Sequence, residues 1–211
     1  MATEAYISGR KRYQRPQAIL WSNNPGTLTN GLYVPTGYEI GAAVPTGTDA
    51  SLVDQFLILS DHNRAELSFT PERIEQRKRT INGRMRSYHI ADKTGMSVSW
   101  SNLPSRAYYS PAAFDNYGKS IYEGQPGEFA SDGGAGGNEI VDWYKNHKGS
   151  FWMFLAYDKY TNFGKSQSAF GHLAQYNEVV EVMFSDFNYS VVSRGGSNFD
   201  LWNISVTLEE V

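Results

Sequence analysis

Five arginines, Arg73, Arg77, Arg79, Arg84 and Arg86, crowd the segment around Asn82-Gly83. Guanidinium suits bidentate pairing with carboxylate or phosphate, so this segment is equipped to hold an anionic surface. Asn-Gly between two runs of alternating residues signals a hairpin, because a type I′ turn needs positive φ at both positions. A two-residue loop sets Ile81 opposite Arg84, Arg79 opposite Arg86, Arg77 opposite Tyr88 and Glu75 opposite Ile90. All five arginines then share one face, and Ile74, Gln76, Lys78, Met85, Ser87 and His89 take the other. Like charges directly across a ladder repel, so this register asks for an acidic counter-surface on another subunit. A solvated face is the plainer reading. Nucleic acid is a third, and it would need more stacking aromatics than Tyr88 alone.

Elsewhere the types and spacings that carry chemistry are missing. His62, His89, His147 and His172 are scattered, none at the spacing of a metal-binding helix, and each reads as structural, with His147 a cation at a helix carboxy end. No cysteine occurs, which excludes disulfides, thiolate metal sites and cysteine nucleophiles. Asp132 to Asn138, DGGAGGN, places glycines before a helix as a phosphate loop does. No Lys-Ser/Thr follows and no strong strand precedes, so a turn that lets the backbone enter the helix is the better reading. Asp115, Asp132, Asp142, Asp158 and Asp186 contain no motif that selects a glycosidase pair, and no GxSxG elbow exists. No catalytic residue, metal or cofactor is expected.

Tyrosines are frequent, and Tyr108, Tyr109, Tyr117 and Tyr122 lie in a loose stretch from 102 to 137 where they could stack on sugars or protein. Trp100, Trp143, Trp152 and Trp202 fall at the buried phase of their elements. Net charge is −3, unevenly placed: residues 1–106 hold 13 Lys/Arg against 9 Asp/Glu, and 107–211 hold 6 against 13. That split favours copies meeting basic region to acidic region over general binding of polyanions. The basic amino terminus lacks an apolar region after it, and the apolar run from Phe151 to Tyr157 is too short to span a bilayer. A soluble chain with no membrane partner is expected.

These residues need a β framework. Residues 1–50, rich in Gly, Pro, Thr and Asn, read as an irregular arm or short edge strands, and 51–211 as one domain. FLILSD, AELSFT, the hairpin and MSVSW suggest an antiparallel meander with Met96, Val98 and Trp100 facing inward. A short helix is expected over about 138–147, with Asn138 as its cap and Ile140, Val141 and Tyr144 as its stripe. SFWMFLAY, EVVEVMFSDF and NYSVVS read as strands. In the last strand Trp202, Ile204, Val206 and Leu208 alternate with Asn203, Ser205, Thr207 and Glu209, as in a half-buried antiparallel strand.

Three pieces in order, DHNRAELSFTPERIEQRKRTINGRMRSYHIADKTGMSVSWSNLPSR, DGGAGGNEIVDWYKNHKGSFWMFLAYDK and LWNISVTLEEV, resemble the structural tail proteins of tailed bacteriophages, of the tail-tube and baseplate-hub type. The resemblance covers residues 52–211. It implies a mainly β fold, with two antiparallel sheets packed as a barrel or sandwich beside one short α-helix. It further implies copies arranged in a ring, a hexamer, around the tail channel, stacked on neighbouring rings and on other tail proteins. Such a protein is a non-enzymatic part of the virion, made in the host bacterial cytoplasm. Its only nucleic acid is a genome passing through the channel, without sequence-specific contact. The long first segment and the tyrosine loop exceed what a minimal tube subunit needs, and leave a tube, baseplate or adaptor position open. A carbohydrate-binding β-sandwich is the alternative, and a glycoside hydrolase a more distant one.

Overall fold

The computed structural model describes residues 19–29, 32–34, 56–106, 108–109, 128–129, 131, 134–156, 176–194 and 200–211. The strands, numbered in chain order, are β1 (Ile19–Ser22), β2 (Thr27–Thr29), β3 (Leu32–Val34), β4 (Phe56–Ile58), β5 (Ser68–Arg79), β6 (Met85–Pro104), β7 (Tyr108–Tyr109), β8 (Glu128–Phe129), β9 (Phe151–Leu155), β10 (Glu178–Ser193) and β11 (Leu201–Glu210). Among the described residues one helix, α1 (Gly137–Asn146), joins them. The fold is mainly β. Seven strands make one antiparallel sheet in the order β4-β1-β9-β10-β11-β6-β5, with β2-β3 and β7-β8 as separate pairs.

Two expectations change here. The first concerns residues 1–50: Ile19–Ser22 form an interior strand with all four residues buried, hydrogen-bonded to β4 on one side and β9 on the other. A short apolar run, Ile-Leu-Trp, buried on both faces has no alternation to reveal it. The second concerns the meander, since β4 and β5 lie at opposite edges of the sheet. After β4 the chain crosses over instead: the Trp100 indole N–H donates to the Ser60 carbonyl at 2.7 Å, and the Ala65 N–H donates to the Ser99 carbonyl at 2.8 Å. These bonds tie the chain after β4 to β6, and the seven strands form one continuous sheet where two packed sheets had been implied.

The core therefore draws on both halves. Ile19, Trp21, Leu57, Phe151 and Met153 from one side meet Met96, Val98, Trp100, Ile204, Val206 and Leu208 from the other. The terminal strand behaves as its alternation foretells, with Ile204, Val206 and Leu208 buried and Asn203, Ser205 and Glu209 exposed. β1, β4 and β9 have a second buried face, built from Leu20, Phe56, Ile58, Phe154 and Tyr176. α1 covers the main core with Ile140 and Trp143, Val141 is buried beside them, and Trp143 lies 6.3 Å from Trp21 between ring centroids. Tyr144, expected on this stripe, is 40% exposed and stacks on Phe187 at 4.2 Å.

Candidate assembly surfaces

The arginine hairpin is an arm whose distal part shares no core. Nearly every residue of β5 is exposed, and β6 is exposed from Met85 to Ile90. Its turn differs from the two-residue loop expected. The Gly83 N–H donates to the Thr80 carbonyl at 2.8 Å, the Thr80 N–H donates to the Arg84 carbonyl at 2.8 Å, and only Gly83 takes a positive φ, +77°. This is a three-residue loop, Ile81-Asn82-Gly83, with a type I turn closed by a left-handed glycine. Arg79 then pairs with Met85, Lys78 with Arg86, Arg77 with Ser87, Gln76 with Tyr88 and Glu75 with His89. A one-residue slip sends one strand's side chains to the opposite face.

The five arginines are thereby divided. Arg73, Arg77 and Arg79 lie on one face, and Arg84 and Arg86 lie on the other with Lys78, Gln76 and Tyr88. The first face carries its own carboxylates: Arg73 Nε is 2.9 Å from Asp92 Oδ1, and Arg77 Nε is 2.6 Å from Glu75 Oε1. The Ser87 hydroxyl, and then Arg77, hold the Glu75 carboxyl below the usual carboxylate range. Arg73 and then His89 do the same for Asp92, and Asp92 in turn raises the Arg73 guanidinium. On the second face no described carboxylate lies within ion-pair distance of Lys78, Arg84 or Arg86. Tyr88 stands among them 73% exposed. A register shift between Ile74 and Glu75 leaves Ile90 as the extra residue of a bulge at the arm's foot.

Among the described residues the sheet also has two edges without a partner strand. β5 has β6 on one side and no described strand on the other. β10 pairs with β9 only from Glu178 to Val182, so from Met183 onward that edge has no described partner strand. The face away from the core between these edges is polar, set by Ser97, Ser99, Ser205, Thr207, Asn188 and Ser190.

Other candidates resolve into structure. The glycine-rich stretch brings the backbone close to β4 and β11: a Cβ on Gly134 would meet Ser60 Cα at 2.4 Å, and one on Gly137 would meet the Trp202 ring at 2.9 Å. Asn138 does not cap α1. Gly136 holds that position without a side-chain bond, and the Asn138 N–H donates to the Ser105 carbonyl at 2.8 Å. The helix start is thus packed and partly satisfied from within. Ser105 directly follows β6, in which Asn102 adopts φ +54° and its N–H donates to Asn203 Oδ1 at 3.0 Å at a bulge against β11. Spacing had not assigned that role to Asn102.

His147 stacks on Trp143 at 3.8 Å, with Nδ1 2.9 Å from the Trp143 carbonyl and Nε2 against Asn23. Burial lowers its pKa, opposed by the Trp143 carbonyl, so desolvation outweighs the helix-end cation effect expected there. His62 and His89 are exposed, and His172 lies outside the described residues. Asp142 is half-buried on α1 and Asp186 is exposed on β10, bonded to Asn188 at 2.6 Å, while Asp115, Asp132 and Asp158 lie outside the described residues. Tyr108 and Tyr109 form β7 opposite Phe129 and Glu128. Tyr117 and Tyr122 lie outside the described residues. Among the described residues no three metal-ligating side chains gather, and no helix is long and apolar enough to cross a membrane.

No family model and no curated protein matches the sequence. A solved structure, the tail of an empty GTA particle with C6 symmetry, aligns over 88% of this chain and 95% of its own with a TM-score of 0.35 and 9% identity.

Proposed function

We propose that this chain is a non-enzymatic structural component of a phage-type tail, part of the virion, and that its copies close into a ring around the tail channel. The observation that carries the reading is the pair of long edges without a described partner strand on one four-stranded half of the sheet, β5 at one side and β10 beyond Val182 at the other. An unpaired strand edge is a template for another strand, and most folds shorten or cover theirs. Here β4, the opposite edge of the sheet, is three residues long and buried, while β5 runs for twelve residues and is exposed. Pro71 removes one donor from β5 and the arm adds charge, which guards against random pairing without closing the edge to a matched partner.

The order β10-β11-β6-β5 alternates in direction at every step. In a ring of like-oriented copies, β5 of one copy therefore meets β10 of the next antiparallel, and the alternation continues unbroken. Such a contact joins different surfaces, so it propagates until rotation closes it. The helix and the doubly buried strands add bulk on the core side. A ring closes with that bulk outward and the serine-rich face toward the channel. The arms then reach toward neighbouring tail proteins, with Arg73, Arg77, Arg79, Arg84 and Arg86 as the interface set.

Sedimentation velocity over a concentration series, with negative-stain electron microscopy of the same samples, tests this. Rings or short tubes are expected. A monomer at every concentration would count against the reading.

A further inference from the structure

One end of the sheet carries two groups of opposite charge, neither of them ion-paired among the described residues. Past the bulge at Ile90 the arm runs on, reaching roughly 20 Å at about 3.3 Å per residue. It presents Lys78, Arg84 and Arg86 around Tyr88 with no described carboxylate in ion-pair range. At the arm's foot, where β10 begins and β11 ends, Glu178, Glu181 and Glu210 line a cleft of about 340 Å³ whose walls include Phe69, Met96 and Val180. Two of these carboxylates meet neutral donors within the chain, and the Lys93 ammonium donates to the carbonyl of Val211, which also lines the cleft. Glu181 accepts from the Ser150 hydroxyl at 2.6 Å, Glu210 accepts from the Thr94 N–H at 2.9 Å, and no described cation pairs with any of the three.

A cleft lined by both carboxylates and apolar side chains suits a side chain with a hydrocarbon stem and a cationic head, which is what lysine and arginine are. The chain's own arm continues the β5–β6 direction away from this cleft. We infer that the Lys78, Arg84 and Arg86 face of the arm docks in the Glu178, Glu181 and Glu210 cleft of a second copy of this chain. Their cationic heads lie on the carboxylates and their stems on the apolar lining. The inference rests on the ring reading, which supplies the proximity: β10 starts at the end of the sheet from which the arm leaves, so pairing β5 with a neighbour's β10 sets the arm beside that neighbour's cleft. It also reassigns the contact. Arg73 and Arg77, ion-paired at home, are spectators, and Lys78 joins.

Charge reversal and rescue test it on the full chain. Arg84→Glu with Arg86→Glu, and separately Glu178→Arg with Glu181→Arg, are each expected to weaken association roughly tenfold or more in sedimentation at low salt. All four changes together should restore it to within about threefold, because rescue requires that the two sites touch. Thermal melting checks that each variant folds. Lys78→Glu replaces the arginine pair if that variant does not fold.

Each other outcome overturns the inference. If wild-type rings form and neither reversal weakens them, or the combined variant is no better than its parents, the ring reading stands and the docking fails. If the wild type never associates, both fail. If a duplex oligonucleotide binds the wild type at about 150 mM salt and not the arginine variant, while the glutamate reversal leaves association unchanged, the arm's occupant is a polyanion and the inference is wrong.

Discussion

β1 and the distal β5–β6 arm are both antiparallel strands, yet one is buried on both faces and the other is exposed on both. β1 is held by packing: Trp21 touches Phe151 at 5.4 Å and Phe184 at 5.4 Å, and its neighbours Ile19 and Leu20 face opposite cores. The arm is held by its ladder, its turn and a few exposed ion pairs. Four residues in the core thus contribute more to stability than a whole hairpin outside it, while the hairpin, free of packing duty, is the region with surface to spare for a partner. Stability and, on the proposed reading, assembly fall to different strands of one sheet.

Removing the Trp21 side chain should expose that division most strongly. Trp21→Ala is expected to cost about 3–5 kcal/mol, the range for deleting a buried aromatic. That is a large fraction of the whole stability of an ordinary domain. Tyr88→Ala on the arm should change unfolding by less than about 0.5 kcal/mol, as surface substitutions do. Urea denaturation of both variants checks this, and equal losses would mean that the arm is packed in solution.

The same division explains what could be read from the sequence. Alternation exposed β11 and the Met96-Val98-Trp100 stretch because each has one buried face, and the helix was visible from its stripe. β1 was missed because a strand buried on both faces does not alternate, and it sits among turn residues that disguise it. In the arm the opposite problem arose. With both faces exposed no hydrophobic pattern fixes the register, so everything hung on the loop length, and one residue more than the Asn82-Gly83 signal implied moved Arg84 and Arg86 away from Arg73, Arg77 and Arg79. The acidic cleft was invisible for another reason. Glu178, Glu181 and Glu210 come from two strands, and only the β10–β11 pairing brings them together.

The turn itself offers a second, smaller test. A Cβ on Gly83 would meet nothing within 4 Å, so the cost of substitution is purely conformational and follows from its φ of +77°. Gly83→Ala should destabilise the loop by roughly 1 kcal/mol. Because the arm shares no core, the loss should remain local. Amide exchange at Thr80 and Gly83, whose N–H groups close the loop, should quicken about fivefold while the global melting temperature stays put. Unchanged exchange at these two positions would show that the loop takes another shape, and would reopen the register.

The smallest expected effect separates the two regions by the origin of their electrostatics. Glu75 on the arm and His147 beside the core both have lowered pKa values, Glu75 through Ser87 and then Arg77, His147 through burial. For Glu75 the lowered value means that the charged form is favoured in the folded state. Its contribution is complete above the ordinary value of 4.5 and is lost as pH falls through the folded one. For His147 the neutral form is favoured, so its contribution is complete above 6.5 and is likewise lost on acidification, but in a higher window. Salt should tell them apart. Screening by about 1 M salt should move the Glu75 midpoint back only by the share that Arg77 and Arg73 supply, since the Ser87 hydroxyl bond is neutral, and leave that of His147 nearly in place, since desolvation and not an ion pair shifts it. Side-chain titration by NMR at two salt concentrations reads both. Within the arm, Ser87→Ala should raise the Glu75 midpoint more than Arg77→Gln does, because the hydroxyl bond is the larger cause, and the reverse order would mean that the ion pair holds that face together.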